Sequence, residues 1–199
     1  MSVPMIPKTS ARTDPPDGKS VSGRVARTPW LTIRAIVVAV ENNDLMRRIR
    51  YAVQLDDGDA ARLATLGGLT ATTEQATAWR AREDEPGYAA CPDEAVAALL
   101  DGFVLERRGP RPGPPRAAPP APFSNNRVLK QLRIALELQA EDMQEIVVAG
   151  GGRLGKGELG ALFRKPGTRN YRACGDQVLR WFLAGLAARR EPRRPRREP

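Results

Sequence analysis

Moving this 199-residue chain along itself by 83 positions lays residues 42–107 on residues 125–190 without a gap, and that internal repeat constrains the fold more than any other feature. Identities fall at Asn42/Asn125, Asn43/Asn126, Arg50/Arg133, Ala52/Ala135, Leu55/Leu138, Asp59/Asp142, Gly67/Gly150, Gly68/Gly151, Ala78/Ala161, Tyr88/Tyr171, Cys91/Cys174, Asp93/Asp176, Leu100/Leu183, Gly102/Gly185 and Arg107/Arg190. A register kept across every turn implies two copies of one structural unit, so each local assignment can be checked against its copy.

Within a copy the apolar residues recur with helical period. Asn42-Asn43 precedes Leu45, Ile49, Ala52 and Val53, as Asn125-Asn126 precedes Val128, Leu132, Ala135 and Leu136, which reads as an N-capped amphipathic helix. A second helix is expected from about Asp57 to Leu66 and from Ala140 to Ala149, stopped by Gly67-Gly68 and Gly150-Gly151, where glycine takes a left-handed C-terminal position. A third opens at Thr72, with Gln75 completing a capping box, and ends near Arg82. Cys91-Pro92-Asp93 opens a fourth, with Val96, Leu99, Leu100 and Phe103 inward, copied by Leu179, Phe182, Leu183 and Leu186. The predicted fold is all-α: two tandem pseudo-symmetric four-helix units, residues 42–107 and 125–188, joined by a proline-rich linker.

Asn42-Asn43-Asp44, Arg48-Ile49-Arg50-Tyr51-Ala52, Gly67-Gly68, Trp79, Arg82-Glu83-Asp84, Cys91-Pro92-Asp93, Gly102-Phe103 and Glu106-Arg107-Arg108-Gly109 together resemble the YehS-like family of small bacterial proteins. The second copy carries the same resemblance in Asn125-Asn126, Leu132-Arg133-Ile134-Ala135, Leu162-Phe163-Arg164-Lys165-Pro166, Asn170-Tyr171-Arg172 and Cys174-Gly175-Asp176-Gln177. The likeness spans essentially residues 42–190. It implies a domain of unknown function in two copies and supplies no catalytic residue.

Charge is unevenly distributed along the chain. The net +9 comes from the ends and the linker: residues 1–41 carry six basic and three acidic side chains, 108–124 three and none, and 189–199 six and two. The first copy is acidic, with seven basic against twelve acidic, and the second basic, with ten against six. Residues 1–41, rich in proline and glycine, read as a disordered extension or as sequence upstream of the true start; residues 31–40 read as a short packed apolar segment. The linker 108–124 reads as a polyproline-type spacer and 189–199 as a basic low-complexity tail. With no histidine, Ser-His-Asp catalysis and two-histidine zinc sites are excluded. Two cysteines are too few for a disulfide scaffold, and no apolar run is long enough to span a bilayer, so the expected location is the cytoplasm, with no membrane and no cofactor.

Three constellations carry possible chemistry. Gly150-Gly-Gly-Arg-Leu-Gly155-Lys156-Gly157 fits a phosphate-cradling pattern but lacks the hydroxyl that holds magnesium, and its copy Gly67–Glu74 joins two helices, so it reads as a turn. Cys91 and Cys174 stand at equivalent helix starts, where the helix dipole favours a thiolate; without a partner base the repeated position reads as structural. The second helix, glycine turn and third helix have a helix-turn-helix layout, which in the second copy carries Lys156, Arg164, Lys165, Arg169 and Arg172 for phosphates and Tyr171 for a base. The first copy places Glu83-Asp84-Glu85 there instead.

The expected function is a non-enzymatic, nucleic-acid-associated protein contacting DNA or RNA through those six residues. The alternative is a protein-protein interaction module or adaptor, including self-association through the oppositely charged copies.

Overall fold

Each amphipathic segment found in the sequence forms a helix: among the described residues, 41–110 and 123–189 of a computed structural model, there are eight α-helices and no strand. The first copy holds α1 (Asn42–Val53), α2 (Asp57–Leu66), α3 (Thr73–Arg80) and α4 (Asp93–Arg108). The second holds α5 (Asn125–Ala135), α6 (Ala140–Ala149), α7 (Lys156–Leu162) and α8 (Asp176–Arg189). No described helix is long and apolar enough to cross a membrane. Expectations for the apolar segment 31–40, most of the linker and the tail beyond Arg189 lie outside the described residues.

The caps are local and mostly as expected. Thr72 and Gln75 exchange side-chain-to-backbone hydrogen bonds at α3 and Asp56 and Asp59 do so at α2, although α3 ends at Arg80, two residues early. The asparagine pairs are the exception. They are helical residues, while Glu41 and Ser124 occupy the cap positions and the Ser124 hydroxyl accepts from the Arg127 N–H.

What the asparagines do instead is hold distant chain. Buried Asn43 donates to the Ala89 carbonyl at 2.8 Å and accepts from the Cys91 N–H at 2.9 Å, while Asn42 donates to the Cys91 carbonyl and the Asp93 carboxylate. In the second copy Asn126 donates to the Leu162 and Arg172 carbonyls and accepts from the Cys174 N–H, and Asn125 repeats the contacts to Cys174 and Asp176. One amide side chain satisfies the N–H of a buried cysteine and a neighbouring carbonyl at once. The start of each first helix is thereby fixed to the start of each fourth.

The second and fourth helices cross at glycine in both copies. A Cβ on Gly67 would lie 1.9 Å from the Ala98 carbonyl oxygen and one on Gly102 1.9 Å from that of Leu63; Gly150 and Gly185 meet the carbonyls of Trp181 and Ile146 at 1.9 and 1.7 Å. Backbone therefore packs directly on backbone, which only glycine permits. The residue after the first glycine, Gly68 or Gly151, has φ of 99° or 86° and turns the chain out of the helix. One turn beyond the crossing glycine of the fourth helix, Arg62 bonds Glu106, and at the equivalent positions Glu145 bonds Arg189 at 2.6 Å, the same pair with its charges exchanged.

The copies are not separate bodies. The first helix of each packs chiefly on the last helix of the other, α1 on α8 and α5 on α4, and one apolar cluster runs through both. Ile49, Leu63, Leu99 and Phe103 from the first copy share it with Leu132, Ile146, Leu179 and Phe182 from the second. Asp101 of α4, contacted by Arg127 at 2.8 Å and by Gln131 of α5, and the Arg108–Glu137 pair edge the exchange.

Two stability predictions follow from this packing. Gly102→Ala or Gly185→Ala forces backbones apart and is expected to cost about 1–3 kcal/mol or more by denaturant unfolding. Gly87→Ala, facing open space, loses only the preference for its positive φ of 81°. Asn43→Ala, which strands the Cys91 N–H, is expected to cost about 1–3 kcal/mol, measured in the same way.

Candidate functional site

Where the two copies diverge, their equivalent corners differ in chemistry. In the first, Arg50 is 4% exposed, donates to the Ala76 carbonyl at 3.1 Å and pairs with Asp57, which Arg80 also meets at 3.2 Å. Burial raises the Asp57 carboxyl, but the hydrogen bond and charge of Arg50, with Thr77 and Arg80, outweigh it and hold the group below the usual carboxylate range. Two guanidiniums and one carboxylate close this corner.

In the second copy Ala140 stands in place of Asp57 and Phe163 in place of Arg80. Arg133, the counterpart of Arg50, loses its carboxylate; its Nε donates to the Leu138 carbonyl at 3.1 Å and its guanidinium lies 4.9 Å from the centre of the Phe163 ring. The corner opens into a groove of about 410 Å³ lined by Lys130, Arg133, Ile134, Leu138 and Phe163, with the Arg108–Glu137 pair at its edge.

The six residues selected from the sequence lie on α7 and on the connection that follows Phe163, none of them lines this groove, and their freedom is unequal. Arg164, Lys165 and Arg169 are exposed on the connection from α7 to α8 and have no carboxylate partner among the described residues. Lys156, the first residue of α7, lies 3.8 Å from Glu141, and Arg172 bonds Glu158 at 2.8 Å. The Gly155 N–H, chiefly, holds the Glu158 carboxyl below its ordinary range; desolvation opposes it and the hydrogen bond and charge of Arg172 add to the lowering. Tyr171 is half-buried and its hydroxyl donates to Asn126 Oδ1 at 3.3 Å, so it braces the connection instead of standing free to stack. The equivalent connection of the first copy, beside a groove of about 450 Å³, carries Glu83, Asp84 and Glu85, with Arg82 neutralised by Asp84. Lys130, Arg133 and Phe163 are the residues sequence reasoning missed; the signal lay in comparing Asp57 with Ala140 and Arg80 with Phe163.

The other two constellations are occupied structurally. The amides of Gly150, Gly151 and Gly152 all donate to carbonyls of α6, Gly155 donates to Glu158, and Gly152 packs against the Trp181 ring, so the glycine amides that would cradle a phosphate are already engaged. Cys91 and Cys174 are buried, and burial, with the charges of Asp93 and Asp176, pushes both thiols up to about 12. Burial prevails over the helix dipole. No group of three or more metal-ligating side chains is assembled among the described residues.

Because an unfolded thiol ionises near 9 and the native ones hold their protons to about 12, the unfolded state binds fewer protons between those limits and stability falls as pH rises through them. Both thiols are expected to resist a disulfide reagent such as Ellman's in the native protein at neutral pH and to react fully in denaturant. Rapid native reaction of either would show an accessible thiolate.

Comparison with known proteins places this geometry in a family. The profile described as "Protein of unknown function (DUF1456)" matches residues 42–109 and again 125–191. The chain is 40% identical over 148 residues to the Uncharacterized protein YehS of Escherichia coli (strain K12), covering 74% of this chain and 95% of that relative. No solved structure matches.

Proposed function

We propose that this chain, which belongs to the DUF1456 family of proteins of unknown function, is a non-enzymatic nucleic-acid-associated protein whose ordered contact is the α7–α8 connection of the second copy. The observation that carries this reading is the trio Arg164, Lys165 and Arg169, exposed and without carboxylate partners among the described residues, on the connection where the first copy has three acids. Unneutralised cations on one short segment release counterions when they meet phosphates. Lys156 and Arg172 contribute less because each is already paired, and Tyr171 supports the segment from behind. The helix-turn-helix layout of α6 and α7 serves here as a scaffold: α7 is seven residues long, so the connection after it makes the contact.

The charge contrast between the two connections favours a second reading, in which the basic segment of one chain docks on Glu83, Asp84 and Glu85 of another copy. Salt-sensitive self-association in sedimentation equilibrium would distinguish it.

In fluorescence anisotropy with the full chain, changing Arg164, Lys165 and Arg169 together to alanine is expected to weaken nucleic-acid binding several-fold. The log–log salt slope should shrink by about two, at roughly 0.7–0.9 per lost phosphate contact. Unchanged affinity and slope would assign all binding to the chain's other basic segments and overturn the reading.

A further inference from the structure

The groove between α5 and Phe163 gives the second copy a feature that the equivalent corner of the first lacks, a guanidinium laid over a half-buried ring. From this geometry we infer that the groove takes an unpaired base of a single-stranded nucleic acid, with Phe163 and the Arg133 guanidinium as the stacking platform and Lys130 beside it for the adjoining phosphate. The inference rests on the proposed nucleic-acid reading and specifies its ligand.

Three observations carry it. The first is the internal comparison: the copy with Asp57 buries its arginine in a closed cluster, whereas the copy with Ala140 leaves Arg133 half-buried over a ring and without a carboxylate partner among the described residues. In the first arrangement Asp57 and the Ala76 carbonyl hold the two terminal nitrogens of Arg50, although its buried Nε has no partner among the described residues. In the second, a planar cation and an aromatic ring border a groove of about 410 Å³, within the roughly 300–1,000 Å³ typical of small-ligand sites.

The second is continuity. Phe163 directly precedes Arg164 and Lys165 in the chain, and Lys130 on the groove wall is exposed with no ion-pair partner among the described residues, so cations stand both on the groove wall and on the segment that leaves it. Glu137 is the one carboxylate on the groove wall, and Arg108 neutralises it.

The third concerns strandedness. A half-buried ring is reached by a base that has left its stack, and aromatic and guanidinium faces receive any base because every base has a π-face. Duplex recognition would need an element to lie in a groove of the double helix, and seven-residue α7 between two loops provides little of one.

The test uses the full chain in fluorescence anisotropy with a short oligothymidylate, a blunt duplex and thymidine monophosphate as competitor. Phe163→Leu keeps an apolar side chain against the core but removes the ring, and Lys130→Ala alters an exposed residue; circular dichroism and the unfolding midpoint establish that both fold. The expected results are tighter binding of the strand than of the duplex and at least a five-fold loss for Phe163→Leu on the strand. Lys130→Ala should give a smaller, salt-dependent loss, and the mononucleotide should compete poorly. Equal affinity for duplex and strand, full binding by Phe163→Leu, or mononucleotide competition at strand-like concentrations would overturn the inference. If the Arg164, Lys165 and Arg169 variant weakens binding while Phe163→Leu does not, only this inference falls; if neither does, the underlying nucleic-acid reading falls with it.

Discussion

The exchange of helix partners between the copies is the constraint on which the rest of the structure depends. Each first helix finds its chief partner in the other copy, α1 on α8 and α5 on α4, and packs less extensively within its own. Burial of a large aliphatic side chain contributes about 1.5–3 kcal/mol, and Leu45, Met46 and Ile49 with their counterparts Val128, Leu129 and Leu132 are all almost wholly buried. Stability on that scale requires both copies at once. The pseudo-twofold arrangement resembles a small dimer written into one chain, and it fixes the positions of the grooves beside α1 and α5.

That arrangement also explains how one corner came to differ from the other. The framework contacts, the asparagine clamps and the glycine crossings, occur twice with nearly the same geometry. They are insensitive to what the intervening surface carries. Replacement of a carboxylate by Ala140 and of an arginine by Phe163 could therefore open the second corner while the first stays closed around Asp57. Two copies of one frame supply one site that remains structural and one free to acquire a ligand.

Much of the fold is legible in the sequence because its signals are local. The periodic apolar positions, the Thr72–Gln75 capping box and the paired glycines act within a few residues; the second copy repeats the apolar positions and the glycines, and keeps half of the box in the Gly155 N–H donating to Glu158. The exchange of partners is not legible, since an amphipathic stripe such as Leu45, Ile49 and Ala52 states that a face is covered without stating by what. Asn43 misleads for a related reason: asparagine ahead of an apolar run has the signature of an N-cap, while its real partners are forty-six and forty-eight residues away. At the candidate site, the basic connection is visible as charge, but the pairing of Lys156 and Arg172 and the bracing role of Tyr171 depend on contacts that only the folded chain makes. Phe163 reads as core by composition, and only its position opposite Arg80 in the copy marks it otherwise.

The exchanged ion pair between the crossed helices acts as a key for pairing. Two copies so alike could fold with α2 against α8 and α6 against α4. Such a mispaired chain would set Arg62 facing Arg189 and Glu145 facing Glu106, like charges in both places, whereas the native pairing sets opposite charges in both. Either pair alone is worth little at an exposed surface. The difference between two attractions and two repulsions discriminates between folds that the apolar core, nearly indifferent to which copy a leucine comes from, separates weakly.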